Sequence, residues 1–292
     1  MSTIFITGAT DGLGRALAYR LAADGHDLIL HGRDTTRLDQ VAAEVADRGK
    51  RPRSVVADLA DLHQVRRLAA QVGEVADRLD VFVSNAGIGG GEPDGVDRRV
   101  SADGYELRFA VNYLAGFALS LDLLPLLRAA APARIVNVAS LGQYPLDFDD
   151  LMLEHGYDGM RAYAQSKLAQ IIAGFELAER LPATEVTVNS LHPGTYMPTK
   201  MVLKSIGRSV DALEVGVESV RRLAISGDLD GVTGRFYDRM REERADSQAY
   251  DLVARAELWR RSLELTGCAD VEAPEAEAPE AEAPEAEAAD PE

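Results

Sequence analysis

At 292 residues and 46% hydrophobic, the chain can bury a large core, enough for one big α/β domain or two small ones. A net charge of −17 argues against sequence-independent binding to nucleic acid, and the single cysteine, Cys268, excludes a disulfide framework and any cysteine-ligated metal cluster. The start, Ser2 to Thr7, has no basic cluster or long apolar stretch, and Leu107 to Leu127 is broken by Arg108, Asn112 and Asp122, so a soluble, cytoplasmic protein outside the membrane is expected.

Short apolar runs alternate with helical patterns from the first residues. Thr3 to Ile6 reads as a buried strand leading through Gly8-Ala-Thr-Asp-Gly-Leu-Gly14 into a helix that ends near Ala23. His26 to His31 is a second strand, followed by a helix from about Thr35 to Arg48. Ser54 to Ala57 is a third, followed by a helix from Leu62 to Arg78. Leu79 to Ser84, Arg134 to Ala139 and Glu185 to Leu191 are the fourth, fifth and sixth strands, and Val232 to Tyr237 is a candidate seventh. Such alternation indicates βαβ units. With right-handed crossovers they give a single-domain, Rossmann-type doubly wound parallel sheet, helices on both faces.

No linker-like stretch divides the chain before Ala269, so residues 1–268 form one domain. From 269 to 292 there are ten acidic residues and no basic ones, which leaves −7 on the body. Pro-Glu-Ala-Glu-Ala repeats from Pro274, Pro279 and Pro284. Proline every fifth residue, with no apolar side chain larger than alanine between, predicts a disordered, solvating acidic tail.

The glycine turn lies where an open α/β sheet presents a helix N-terminus to a pyrophosphate. Gly8, Thr10, Asp11, Gly12, Leu13 and Gly14 are therefore candidate cofactor contacts. The spacing is G-x-x-x-G-x-G, and an ordinary strand-to-helix turn is the alternative. The second strand ends His31-Gly32-Arg33-Asp34. Gly32 leaves room, and Arg33 offers a permanently charged fork to a ribose 2′-phosphate, which favours NADP(H) over NAD(H). Asp34 could bond the ribose or cap the next helix. Asp58 and Leu59, just past the third strand, are placed to meet the adenine, with an N-cap as the alternative for Asp58.

Tyr163 and Lys167 stand four residues apart in a helical pattern, on one face. An ammonium beside a phenol favours the phenolate and should pull the tyrosine below its usual pKa of about 10. Such a group can give or take the proton in carbonyl reduction or alcohol oxidation. Taken alone, the pair could equally be a phenol and a charge on a solvated face. His31 and His192 end buried strands and read as packed, hydrogen-bonded residues; no partner has metal spacing to either, so no metal is expected.

In this order the motifs resemble those of the short-chain dehydrogenase/reductase family, over about Met1 to Gly194. Thr7 to Gly14 fits the family's T-G-x-x-x-G-x-G turn, and Ser84-Asn-Ala-Gly87 its N-N-A-G motif with serine in place of the first asparagine. Asn112, in Ala110-Val-Asn-Tyr113, matches the helical asparagine; Ser140 follows the fifth strand, and Pro193-Gly194 the sixth. Phe148 to Leu151, Ala162 to Ala169 and the 23 positions between Ser140 and Tyr163 are most similar to the retinol dehydrogenase and protochlorophyllide reductase-like branch. The resemblance implies Tyr163 as general acid and base, Lys167 lowering its pKa and holding the nicotinamide ribose, Ser140 bonding the substrate oxygen, and Asn112 aligning a water with the lysine. It places Asn85, Ala86 and Gly87 beside the cofactor, with Pro193, Gly194 and Thr195 near the nicotinamide; a helix cap is the alternative for Thr195. Family members commonly pair through the helices around Asn112 and Tyr163, which implies a homodimer or homotetramer.

Two segments should cover the substrate: 141 to 159, with Tyr144, Phe148 and Tyr157, and 196 to 207, with Met197, Met201 and Leu203. They suggest a mostly apolar, secondary-metabolite-like carbonyl or alcohol, although the same side chains could be covering the core. The expectation is an NADPH-dependent oxidoreductase, a ketoreductase or alcohol dehydrogenase. The other readings are an idle NADP(H)-binding sensor or interaction protein, and an enzyme of the same fold for elimination, epimerisation or C=C reduction.

Overall fold

Alternating side chains give each strand two faces to bury, and the first strand shows how both are used. In β1 (Thr3–Ile6), Ile4 and Ile6 join one apolar cluster and Phe5 the other. The computed structural model describes residues 1–91 and 95–271. The acidic repeats from Pro274 lie outside the described residues. With β2 (Asp27–Gly32), β3 (Arg53–Val56), β4 (Val81–Ser84), β5 (Ala133–Val138), β6 (Val186–His192), β7 (Arg235–Asp238) and β8 (Arg241–Glu242), β1 forms one sheet in the order β3-β2-β1-β4-β5-β6-β7-β8. Seven strands run parallel. The eighth, of two residues and antiparallel to β7, is too short to leave an apolar run in the sequence.

One face carries α1 (Gly12–Ala23), α2 (Thr35–Ala46) and α8 (Leu213–Ile225). The other carries α3 (Leu62–Val75), α4 (Ala115–Asp122), α5 (Leu124–Arg128), α6 (Gly159–Arg180) and α9 (Leu252–Thr266), while α7 (Lys200–Ser205) follows β6. Asp11, Asp34, Asp61, Asp158 and Asp251 each start a helix by accepting a backbone N–H in its first turn. Among the described residues no helix is long and apolar enough to cross a membrane. Strand order reverses at β1, which pairs with both β2 and β4, so a crevice opens beyond their carboxyl ends.

His31 stitches that crevice from beneath. It is buried; its Nδ1 accepts the Gly8 N–H at 3.2 Å and its Nε2 lies 3.1 Å from the Ala57 carbonyl oxygen. The neutral Nε2–H tautomer satisfies both, and burial depresses its pKa to about 4. The unfolded imidazole takes its proton near 6.5, the folded one only near 4. Between those values the unfolded chain binds a proton that the folded chain refuses, so stability is full above 6.5 and falls as the pH drops toward 4. The expected loss is about 3 kcal/mol, read from chemical denaturation at pH 7.5 and 4.5. His31→Gln should flatten this dependence; equal pH sensitivity in both proteins would exclude His31 as its source.

The apolar faces of α6 are covered from within the chain. Every residue from Gln165 to Phe175 is buried. Across them lies α9: Trp259 meets Phe117 edge-on with centroids 5.0 Å apart, Ser262 Oγ and the Tyr113 hydroxyl are 2.5 Å apart, and Arg255 Nε donates to Glu176 at 3.0 Å. The tether continues past α9, where Trp259 Nε1 donates to Asp270 at 2.8 Å and Val271 is buried. α9 and Trp259 thus supply, from within the chain, an apolar partner for α4 and α6.

Candidate active site

The turn after β1 is shaped by close approach. A β-carbon on Gly14 would lie 2.4 Å from the Gly8 carbonyl oxygen and 2.6 Å from Asn85 Nδ2, and one on Gly8, whose φ is +67°, would lie 2.8 Å from Ala86 Cα. Asn85 holds the turn by donating Nδ2 to the Thr7 carbonyl at 2.8 Å, while Thr7 Oγ1 accepts the N–H groups of Asn85 and Ala86. Asp11 caps only Gly12 N, at 2.7 Å. No acceptor among the described residues meets the N–H of Leu13 or Gly14, so the start of α1 keeps two donors for an anion, the feature a pyrophosphate requires.

Around this turn, the structure adds local contacts that the sequence did not show. The room beside Gly32 is filled by Thr10, whose Cγ2 would be 2.4 Å from a β-carbon there. Arg33 is exposed at the end of β2, and Asp34 is spent on capping α2 through the Arg37 N–H at 3.1 Å. Asp58 is not the N-cap of α3, a place Asp61 takes; Asp58 Oδ1 instead accepts Ala60 N at 3.0 Å, and Leu59 is buried in the core.

The four residues expected to share a site converge. Asn112 sits on a π-helical turn, Phe109–Leu114, the kind of irregularity that recurs at functional sites. Its Oδ1 accepts Ile88 N at 2.8 Å, and its Nδ2 donates to the Ile88 carbonyl at 3.1 Å and to Ser166 Oγ at 3.0 Å. Ser166, absent from the sequence reading, donates its hydroxyl to the Tyr163 carbonyl at 2.7 Å. A β-carbon on Gly87 would be 3.3 Å from Asn112 Oδ1 and 3.7 Å from Lys167 Nζ, which brings asparagine and lysine to one point. Ser140 Oγ accepts Gly142 N at 3.0 Å, and a β-carbon on Gly142 would lie 3.4 Å from that oxygen and 3.9 Å from Tyr163 Cε1, which puts serine and phenol side by side.

Electrostatics depart from the sequence expectation. Tyr163 is pushed above the usual tyrosine value by loss of water, with Ser140 working in the opposite direction and the phenol of Tyr196 adding to the rise. Lys167 does not pull it down. Its ammonium is directed into the fold, donating to the Val138 carbonyl at 2.7 Å and to Gln170 Oε1 at 3.2 Å, and burial lowers its pKa to about 8.

After β6, Pro193 and Gly194 lead to Thr195, which caps no helix; that position before α7 belongs to Thr199. Thr195 N donates to Asp211 Oδ2 at 2.7 Å, and its hydroxyl lies 3.1 Å from His192 Nε2 and 3.3 Å from Arg239 Nη2. Arg239 in turn donates Nε to the same Asp211 oxygen at 3.0 Å. Neither residue had a signal in the sequence, because their partners are 16 and 44 positions away from them.

The covering segments divide. Met197 and Phe148 pack into the body, and Tyr157 donates its hydroxyl to Glu106 at 3.0 Å while accepting Arg108 Nη1 at 2.7 Å. Burial, with Glu106 adding, pushes Tyr157 up to about 12. Tyr144, Met201 and Leu203 remain exposed, as do Leu141, Met160 and Tyr196. Met201 lies over Gly89, where a β-carbon would be 3.0 Å from its Cγ.

Residues 2–207 match the short chain dehydrogenase family. The chain is 33% identical to "Retinol dehydrogenase 13" of Mus musculus, across 91% of this chain and 84% of that protein. It is 34% identical to a Streptomyces sp. (strain C5) protein named as a candidate daunorubicin C-13 ketoreductase, across 91% and 92%. A solved Shigella flexneri 2a protein described as a candidate short chain dehydrogenase complexed with NADP is 27% identical and superposes with a TM-score of 0.67, across 82% of this chain and 96% of that one.

Proposed function

The chain belongs to the short chain dehydrogenase family, and on that footing we propose that it moves hydride between NADP(H) and the carbonyl or alcohol carbon of a mostly apolar small molecule, with Tyr163 as the proton donor and acceptor. The observation that carries this reading is the convergence of Ser140 Oγ and the Tyr163 ring at Gly142, with Lys167 one turn along α6 and Asn112 meeting the lysine at Gly87.

The nicotinamide supplies the hydride when bound; the protein supplies orientation and proton handling. Leu13 and Gly14 offer backbone N–H groups to the pyrophosphate, Arg33 its guanidinium to the 2′-phosphate, and Asp58 and Leu59 line the adenine side. Asn85, Ala86 and Gly87 allow close approach of the ribose, and Thr195 faces the carboxamide from the Asp211–Arg239 clamp. In reduction, Ser140 holds the substrate oxygen as charge develops there, and Tyr163 passes its hydroxyl proton to that oxygen. Lys167 and the Asn112 side chain then lie along the route by which the phenol recovers a proton. The exposed Leu141, Tyr144, Met160 and Met201 give the mouth its apolar character.

The reading has two direct tests. NADPH mixed with the protein and a panel of carbonyl compounds should be oxidised in a Tyr163-dependent manner; binding of NADPH with no such turnover of any substrate would reject hydride transfer. Titration should show NADPH binding at least tenfold tighter than NADH, the scale of a charge-assisted hydrogen bond, and Arg33→Ala should erase the difference. Equal affinities in the native protein would reject the assignment of NADP(H).

A further inference from the structure

Lys167 has a buried neighbour that the proposed chemistry has not yet used. One turn along α6, Gln170 is buried with its amide between two partners of opposite demand. An ammonium can only donate, so the amide oxygen must face Lys167; it does, at 3.2 Å. The amide NH2 must then face acceptors, and it points at the Ser84 carbonyl and Ser84 Oγ, 3.4 Å from each. Ser84 is itself confined, since a β-carbon on Gly116 would be 2.5 Å from its Oγ. Chemistry at both ends therefore fixes the orientation of the amide, and the C-terminal end of β4 is wired to the lysine through a single side chain.

We propose that Gln170 is a positioning residue that holds the Lys167 ammonium in its buried place between the ends of β4 and β5 and, with Ser84 as its anchor, sets how readily that ammonium keeps its charge. The proposal rests on the reading of Lys167 as part of the hydride-transfer site. Among the described residues, two groups accept hydrogen bonds from Lys167: the Val138 carbonyl at 2.7 Å and the Gln170 amide oxygen. No carboxylate among the described residues shifts its titration. Burial alone accounts for its depressed value, and the titratable neighbours around the site are the phenols of Tyr163 and Tyr196. In such a setting one acceptor more or less changes the charged fraction strongly, because a hydrogen bond to an ionised group in a dry site has few competitors. Serine at position 84, where the family motif carries asparagine, belongs to the same arrangement: its short side chain leaves the Gln170 amide a place to dock. The spacing makes the contact readable in retrospect, since Lys167 and Gln170 are three residues apart and share a helix face.

The sequence makes the test direct. The chain has four lysines, Lys50, Lys167, Lys200 and Lys204, and Lys167 alone is buried. Protein labelled with 13C at the lysine ε-carbon gives four signals to follow against pH, and Lys167→Arg identifies the one of interest. Gln170→Met removes the acceptor at similar volume and should lower the Lys167 midpoint by about one unit, a tenfold change in charged fraction. Gln170→Glu places a carboxylate there and should raise it by at least as much. Ser84→Ala frees the amide while leaving Gln170 in place, and should lower the midpoint by less than Gln170→Met does. NADPH affinity measured near pH 8 should follow the charged fraction across the series. Midpoints that coincide with that of the native protein, or that move in the same direction for Met and Glu, would overturn the proposal. If Gln170→Met does not fold, the opposite signs expected of Gln170→Glu and Ser84→Ala decide the matter. Because the readout is the lysine itself and needs no substrate, its failure leaves hydride transfer standing, and a failure to find a substrate leaves this result standing.

Discussion

Tyr163→Phe is expected to reduce turnover by about a thousandfold while NADPH still binds within a few-fold of the native affinity. The asymmetry follows from where the hydroxyl sits. The Tyr163 ring lies beside Ser140 at Gly142, and the cradle for the pyrophosphate is built by other residues, from Thr7 to Gly14 and Asn85. Removing one oxygen atom leaves the packing of α6 intact but takes away the proton that the substrate oxygen needs. Stopped-flow fluorescence separates the two effects, because NADPH binding and NADPH oxidation are read independently. A variant that retained more than a tenth of native turnover would show that a water or another side chain supplies the proton. The buried environment adds a pH signature. Tyr163 is held above the ordinary tyrosine value and Lys167 below the ordinary lysine value, so reduction should decline on the alkaline side as the lysine loses its charge near pH 8.

The second large effect lies away from the chemistry. Arg108→Met should cost about 4 kcal/mol of stability, measured by chemical denaturation, because it strands a carboxylate in the interior. Glu106 and Arg108 are each 1% exposed, 3.4 Å apart, and joined through the Tyr157 hydroxyl. Glu106 also accepts the Phe109 N–H at 2.7 Å, and Arg108 Nε donates to the Gly89 carbonyl at 3.0 Å. The pair therefore ties together the loop after β4, the entry to the helix that carries Asn112, and the segment before α6. Changing both partners, Glu106→Gln with Arg108→Met, removes the unpaired charge and should recover more than half of the lost stability. If the double variant is as unstable as the single one, the cost comes from packing and not from charge. The single variant should also raise KM for substrate, since it releases Tyr157 and with it the 141–159 segment.

Local pattern carried what depends on local pattern. The strands β1 to β6 are legible because each is an apolar run between polar turns, and the doubly wound order follows from their alternation with helices. The glycine turn is legible because Gly8 and Gly14 are required by close backbone approach, which no other residue allows. Tyr163 and Lys167 show as a pair because α6 spaces them on one face. The readings that changed depend on the third dimension. The direction of the Tyr163 shift could not be read from its spacing to Lys167, because the ammonium is directed at Val138, a carbonyl 29 positions earlier. Tyr157 and Phe148 looked like substrate contacts because they are aromatic and lie in an insertion. Their actual partners, Glu106 and the core, are remote in sequence.

The covering of α6 by α9 has a consequence for how the site is maintained. When a neighbouring molecule braces a catalytic helix, the brace is lost on dilution and the helix is only as steady as the association constant allows. Here the brace is covalently attached, so its local concentration is fixed by the chain and does not depend on how much protein a cell contains. The contact of α9 with the helix that carries Tyr163 and Lys167 therefore persists at any dilution.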